Sequence, residues 1–120
     1  MTERMLHTAA APFESARRVG ILPAGHRSQR LHGHSFLARV RAELPEGWAP
    51  FRGGETDALS EQLIQCVSKL DYDLLNNHIE IPTDENLARW IWSRLLPGLP
   101  ELSKVVVQET CNAGCIYTGV

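Results

Sequence analysis

Two helical segments follow one another in the middle of this chain, and strand-like patterns lie on both sides of them. From Thr56 onward, Leu59, Leu63, Cys66 or Val67, and Leu70 recur at the interval that lines one face of a helix, and the pattern stops near Leu70. Pro82 and Thr83 open the second helix. Thr83 is placed as its N-cap, and Asp84 and Glu85 fall in the first turn, where carboxylates suit the positive end of the helix dipole. Leu87, Ile91 and Leu95, with Trp90 alongside, form its apolar face until Pro97 stops it. Ahead of the helices, residues 35–43 alternate Phe36, Ala38, Val40 and Ala42 with Ser35, Arg39 and Arg41, as a half-buried strand does. Residues 5–16 are patterned more weakly, and Pro12 among them suits an edge strand or a bulge. Behind the helices, residues 104–110, centred on Val105-Val106-Val107, read as a buried strand. Residues 115–117 read as its antiparallel partner across an Asn112-Ala113-Gly114 turn. The expected fold class is α+β, an antiparallel sheet covered on one face by the helix pair.

A chain of 120 residues fits a single domain, residues 1–120, with a modest core. Its formal net charge of -2 lacks the basic excess that nucleic acid or an anionic membrane surface attracts, so neither is an expected partner. Met1-Thr2-Glu3-Arg4-Met5 brings an acidic residue early and no apolar leader core, and no later apolar run approaches the length of a bilayer span. A cytoplasmic location is the expectation. The cysteines, Cys66, Cys111 and Cys115, are odd in number and form no CxxC pair, which argues against a disulfide framework or a zinc ribbon.

His32-Gly33-His34 carries the chemistry. Alternate side chains of an extended strand share a face, so these two imidazoles can be offered to one ion. A catalytic zinc centre takes three protein ligands and a water, so a third ligand must come from elsewhere. His26, in Gly25-His26-Arg27-Ser28, is close enough along the chain to supply it. His7 and His78 read as surface residues.

Five segments occur in a telling order: Phe13-Glu14-Ser15-Ala16, Arg30-Leu31-His32-Gly33-His34-Ser35-Phe36, Leu70-Asp71, Pro82-Thr83-Asp84-Glu85-Asn86-Leu87-Ala88 and Gln108-Glu109-Thr110-Cys111. Together they resemble the 6-pyruvoyltetrahydropterin synthase family, in its queuosine-pathway branch of 6-carboxytetrahydropterin synthases, from about residue 13 to residue 119. The resemblance implies the tunnelling fold (T-fold), a four-stranded antiparallel sheet with two helices on one face. It implies a homo-oligomer, a trimer or hexamer joined sheet edge to sheet edge, with active sites between subunits. It also implies a lyase chemistry that removes triphosphate from 7,8-dihydroneopterin triphosphate and rearranges or cleaves the side chain. In that family three histidines hold zinc, a cysteine is the base with help from an Asp-His pair, and a glutamate anchors the pterin.

Carried over residue by residue, His32 and His34 match two zinc ligands, Glu109 the pterin anchor, Thr83 a neighbour of the pterin ring, and Asp71 the aspartate of the relay. The departures fall on the chemistry: Arg17 stands where the family has its first zinc histidine, Ser28 where it has the cysteine, and Tyr72 where it has the relay histidine. Two readings follow. In one, the chain is an enzyme whose Arg17 guanidinium takes over part of the role of zinc, with His26, Tyr72 or His34 as base, or whose His26 completes a His26, His32 and His34 zinc set. In the other, it is a non-catalytic pterin-binding protein or partner subunit.

Overall fold

In the computed structural model, which describes residues 4–110 and 113–119, the alternating segments form a long antiparallel pair. β1 (His7–Arg17) and β2 (His32–Ala42) stay in register from His7 opposite Ala42 to Arg17 opposite His32. After β2 come α1 (Glu55–Ser68), a two-residue β3 (Asp73–Leu74), α2 (Asp84–Leu95), β4 (Leu102–Glu109) and β5 (Ala113–Tyr117). The strands lie in the order β3-β1-β2-β4-β5, all antiparallel neighbours except β3, which runs parallel to β1. The α+β class stands, and the sheet has five strands rather than the four expected. β3 pairs only through Ser15 opposite Asp73 and Ala16 opposite Leu74. A pair that short has no alternation to read.

Pro12 lies within β1, and the backbone explains why it is tolerated. The Glu14 N–H donates to Asp71 Oδ1 at 2.8 Å and the Glu14 carbonyl accepts from the Tyr72 N–H at 2.5 Å, so both face the β3 side of the strand. Two residues earlier, with the same polarity, the nitrogen of Pro12 faces that edge beyond the reach of β3, where no ladder donor is required. Asp71 and Tyr72 thus tie the end of α1 to the outer edge of β1. Tyr72 does this with a left-handed backbone, φ 52°, and an exposed side chain.

The core lies between the sheet and the helices. Ala11 and Phe13 of β1, Phe36, Ala38 and Val40 of β2, and Val105 and Val107 of β4 are buried against Leu59, Leu63 and Val67 of α1 and Leu87, Ile91 and Leu95 of α2. The rings of Phe13 and Phe36 stack at 5.0 Å between centroids. Burying one such side chain contributes roughly 1.5–3 kcal/mol. Thr83 caps α2 as the sequence predicts, its hydroxyl accepting from the Asn86 N–H at 3.2 Å. Of the predicted turn before β5, Asn112 lies outside the described residues, whereas Ala113 and Gly114 already pair with Glu109 and Gln108. Among the described residues no helix is long and apolar enough to cross a membrane.

The site is positioned by the same alternation that builds the core. Continuing the inward series of β1 beyond Ala11 and Phe13 brings Ser15 and Arg17. Continuing β2 backward from Ala38 and Phe36 brings His34 and His32, and continuing β4 beyond Val105 and Val107 brings Glu109. At this one end the helix-facing side of the sheet turns polar, and the first residue of α2, Asp84, covers it.

Candidate active site

Arg17 is the centre of the polar end. It is 6% exposed, and its Nη1 donates to Asp84 Oδ1 at 2.7 Å and to the Pro82 carbonyl at 3.2 Å, while Nη2 donates to Glu109 Oε2 at 2.5 Å. Its guanidinium carbon lies 5.2 Å over the Phe36 ring. One cation thus holds two carboxylates from elements far apart in the chain. Burial pushes the Asp84 carboxyl above its usual range, and the hydrogen bond with Glu109 adds to that against the pull of Arg17. For Glu109, burial acts upward too, but hydrogen bonds with Asp84 and Arg17 outweigh it and hold the carboxyl below its ordinary value. The pair is therefore unequal: the same surroundings push the Asp84 carboxyl up and hold that of Glu109 down.

The two histidines stand beside this cluster, their rings 4.8 Å apart and edge to face. His32 Nδ1 lies 2.7 Å from the Arg30 carbonyl, which can only accept, so this nitrogen carries the proton and a neutral ring leaves its lone pair on Nε2. That Nε2 is buried and, among the described residues, has no partner. Burial first, then the charge of Arg17, holds the His34 imidazole below the ordinary histidine value. Both influences favour the neutral ring, the form that can accept a proton.

A depression of about 390 Å³ joins Ser28, His32, His34, Glu109 and Thr110. A more open one of about 720 Å³ continues past His34 and Thr110 to Glu14, Tyr72 and Asp73, so His34 stands in the wall common to both. Other sequence-derived candidates are placed differently. His26 lines a separate depression with Arg18 and Gln29, its Nδ1 accepting from the Ser28 N–H at 3.1 Å. Asp71 engages the β1 backbone through Oδ1, and Thr83 serves as the helix cap next to Asp84.

Comparison with known proteins agrees with this architecture. The sequence model of the 6-pyruvoyl tetrahydropterin synthase family matches residues 7–120. The chain belongs to that family. A Synechocystis relative named 6-carboxy-5,6,7,8-tetrahydropterin synthase is 36% identical over 99 residues, 74% of this chain and 75% of the relative. A Pyrococcus furiosus relative named dihydroneopterin monophosphate aldolase is 30% identical over 102 residues, 83% of this chain and 81% of the relative. The solved structure of 6-pyruvoyl tetrahydropterin synthase from Caenorhabditis elegans superposes with a TM-score of 0.76 over 99% of this chain and 100% of that one, at 20% identity, and shows the shared fold.

A zinc ion of the kind this family implies can be tested against the donors present. His32 suits a ligand: a carbonyl fixes its tautomer and leaves Nε2 unpartnered. The remainder does not fit. Directly across the strands from His32 stands Arg17, a permanent cation already bound by two carboxylates, and His26 lines a different depression. Among the described residues, no three His, Cys, Asp or Glu side chains converge to hold an ion. Two imidazoles beside a guanidinium fall short of three protein ligands.

Sequence reading missed Asp84 as a site residue, because a carboxylate in the first turn of a helix is fully explained by the helix dipole. The signal that could have found it is Arg17 itself: a buried arginine on the inward series of β1 requires carboxylates around it.

The low-lying His34 titration carries an expectation. In an NMR titration its imidazole midpoint falls below the free value of about 6.5, and in Arg17→Met it moves back up as the neighbouring charge is removed. A midpoint at or above the free value would contradict the placement of His34 beside Arg17. Because the folded value is depressed, the linked stability is present above the unfolded midpoint and lost as pH falls through the folded one.

Proposed function

We propose that this chain is an enzyme of reduced-pterin metabolism, acting on 7,8-dihydroneopterin triphosphate or a related phosphorylated dihydropterin in the manner of a 6-carboxytetrahydropterin synthase, and that it does so without resident zinc. The observation that carries this reading is the depression that Glu109 and His34 share, with Ser28 on its wall. A charged carboxylate accepts the paired N–H donors of an aminopyrimidinone edge and thereby fixes the orientation of the ring. An imidazole that is neutral at pH 7 can take a proton from a side-chain hydroxyl. In the aldolase-type cleavage open to such a substrate, the O–H pair becomes the carbonyl of a departing aldehyde fragment that carries the phosphates, the adjacent C–C bond breaks, its electrons pass into the dihydropterin ring, and the imidazolium returns the proton to the carbon left on the ring. Relatives named as a tetrahydropterin synthase and as an aldolase support a site that works on such side chains.

Edge pairing supports a homo-oligomer, a trimer or hexamer. β1 is bridged on its outer side only at Ser15 and Ala16, which leaves its earlier residues as an open template beside the larger depression. A second copy seated there would wall that depression.

The test is metal analysis by mass spectrometry alongside consumption of dihydroneopterin triphosphate before and after chelation. Zinc well below one per chain with chelator-resistant turnover is the expected result. Stoichiometric zinc with chelator-sensitive turnover would overturn the zinc-free mechanism. Ser28 in place of a thiol favours a second reading, a pterin-binding protein without turnover. That reading would show neopterin binding and no consumption.

A further inference from the structure

An aminopyrimidinone edge presents two parallel N–H donors, and so does a guanidinium. Arg17 already lies on Glu109, Nη2 to Oε2 at 2.5 Å. The chain therefore carries its own competitor for the anchor, with a side chain only 7% exposed. Such a guanidinium cannot simply release a carboxylate, because a buried charge left without a partner is strongly unfavourable. A second acceptor is in place: Asp84 Oδ1 accepts from Nη1 at 2.7 Å, and the Pro82 carbonyl accepts from the same nitrogen at 3.2 Å. Asp84 is itself held firmly, as the first residue of α2 beside the Thr83 cap, where the amino end of the helix favours its ionised form. Arg17 Nε is buried and, among the described residues, has no acceptor, so the guanidinium retains a donor for a changed set of bonds.

We infer that Asp84 is the positioning residue of the anchor: it takes over Arg17 when the donor edge of a pterin docks on Glu109, so that Glu109 exchanges one guanidine-like partner for another without stranding a buried cation. This inference rests on the pterin reading proposed above. Arg17 then acts through its two carboxylates as a placeholder, and the ligand class selected is a flat heterocycle with adjacent ring N–H and exocyclic amino donors. A ring lacking the exocyclic amine cannot replace both hydrogen bonds and leaves Arg17 in place.

Neopterin is the probe, titrated against the full chain and followed by its fluorescence. Asp84→Asn weakens binding roughly 10- to 100-fold, as loss of one charge-assisted partner implies, and Asp84→Glu, which keeps a carboxylate, restores it. In an Arg17→Met background Asp84→Asn no longer weakens binding, because there is no guanidinium to rehouse. Equal weakening in both backgrounds would mark Asp84 as merely structural and overturn the inference, as would wild-type affinity in Asp84→Asn alone. Should Arg17→Met not fold, the comparison of asparagine with glutamate at position 84 decides, and failure of glutamate to restore binding overturns it. A wild-type chain that binds neopterin no better than Glu109→Ala overturns the pterin reading and the inference with it.

Discussion

Arg17→Met lowers the stability of the folded chain by roughly 3–5 kcal/mol, the usual cost of removing one partner from a buried ion cluster. Methionine fills much of the same volume, so the loss is electrostatic. The Asp84 and Glu109 side chains, 13% and 18% exposed, are left facing each other with no cation between them. One carboxyl must keep its proton, and burial already disposes Asp84 to do so. Their folded values rise above those of the unfolded chain, so the variant is most stable below the unfolded carboxylate range and loses stability as pH rises through the folded values. The deficit is therefore larger at pH 8 than at pH 5. Urea unfolding at both values measures it, and the thermal midpoint drops by roughly 10–25 °C. A midpoint close to that of the wild type would mean that the cluster is solvated. Adding Asp84→Asn and Glu109→Gln to Arg17→Met recovers much of the loss, since a neutral cluster has no charge to strand.

The same cluster shows where a sequence can be read and where it cannot. Thr83 as a cap, the two helix faces and the inward series of β2 were legible because each depends on neighbours within a turn or two. Pro12 suggested an edge strand or a bulge, and it lies on the stretch of β1 that β3 leaves unpaired. β3 was not legible, since two residues have no period, and its pairing depends on Asp71 and Tyr72 meeting the Glu14 backbone from the far end of α1. The carboxylate partners of Arg17 are 67 and 92 positions away in the chain. Spacing cannot relate residues that distant. The adjacency of β1, β2 and β4, with α2 beginning above them, brings Arg17, His32, His34, Glu109 and Asp84 together, and it follows only once the strand order is known. Family resemblance located four of those five positions, and Asp84, which lies in a matching segment but was given no role by it, required the geometry.

Arg17→His converts this site into a zinc site. The imidazole introduced at position 17 sits opposite His32 in the β1–β2 register, on the face that also carries His34. It supplies the third nitrogen that the present donor set lacks. His32 is already prepared, with Nδ1 committed to the Arg30 carbonyl and Nε2 buried without a partner. The ion also returns the positive charge that the substitution removes, which Asp84 and Glu109 require, so the metal-free variant resembles Arg17→Met in its fragility and zinc rescues it. Metal that binds only the folded chain stabilises by about 2.7 kcal/mol at one hundred times its dissociation constant. A thermal midpoint that climbs with added zinc in Arg17→His, but not in the wild type, is the expected observation, and His32→Ala in the same background abolishes the rise. Acid reverses it as the imidazoles protonate. If folded Arg17→His takes up no more zinc than the wild type, then the guanidinium is not what keeps the metal out, and the site has diverged from a zinc centre in more than one side chain.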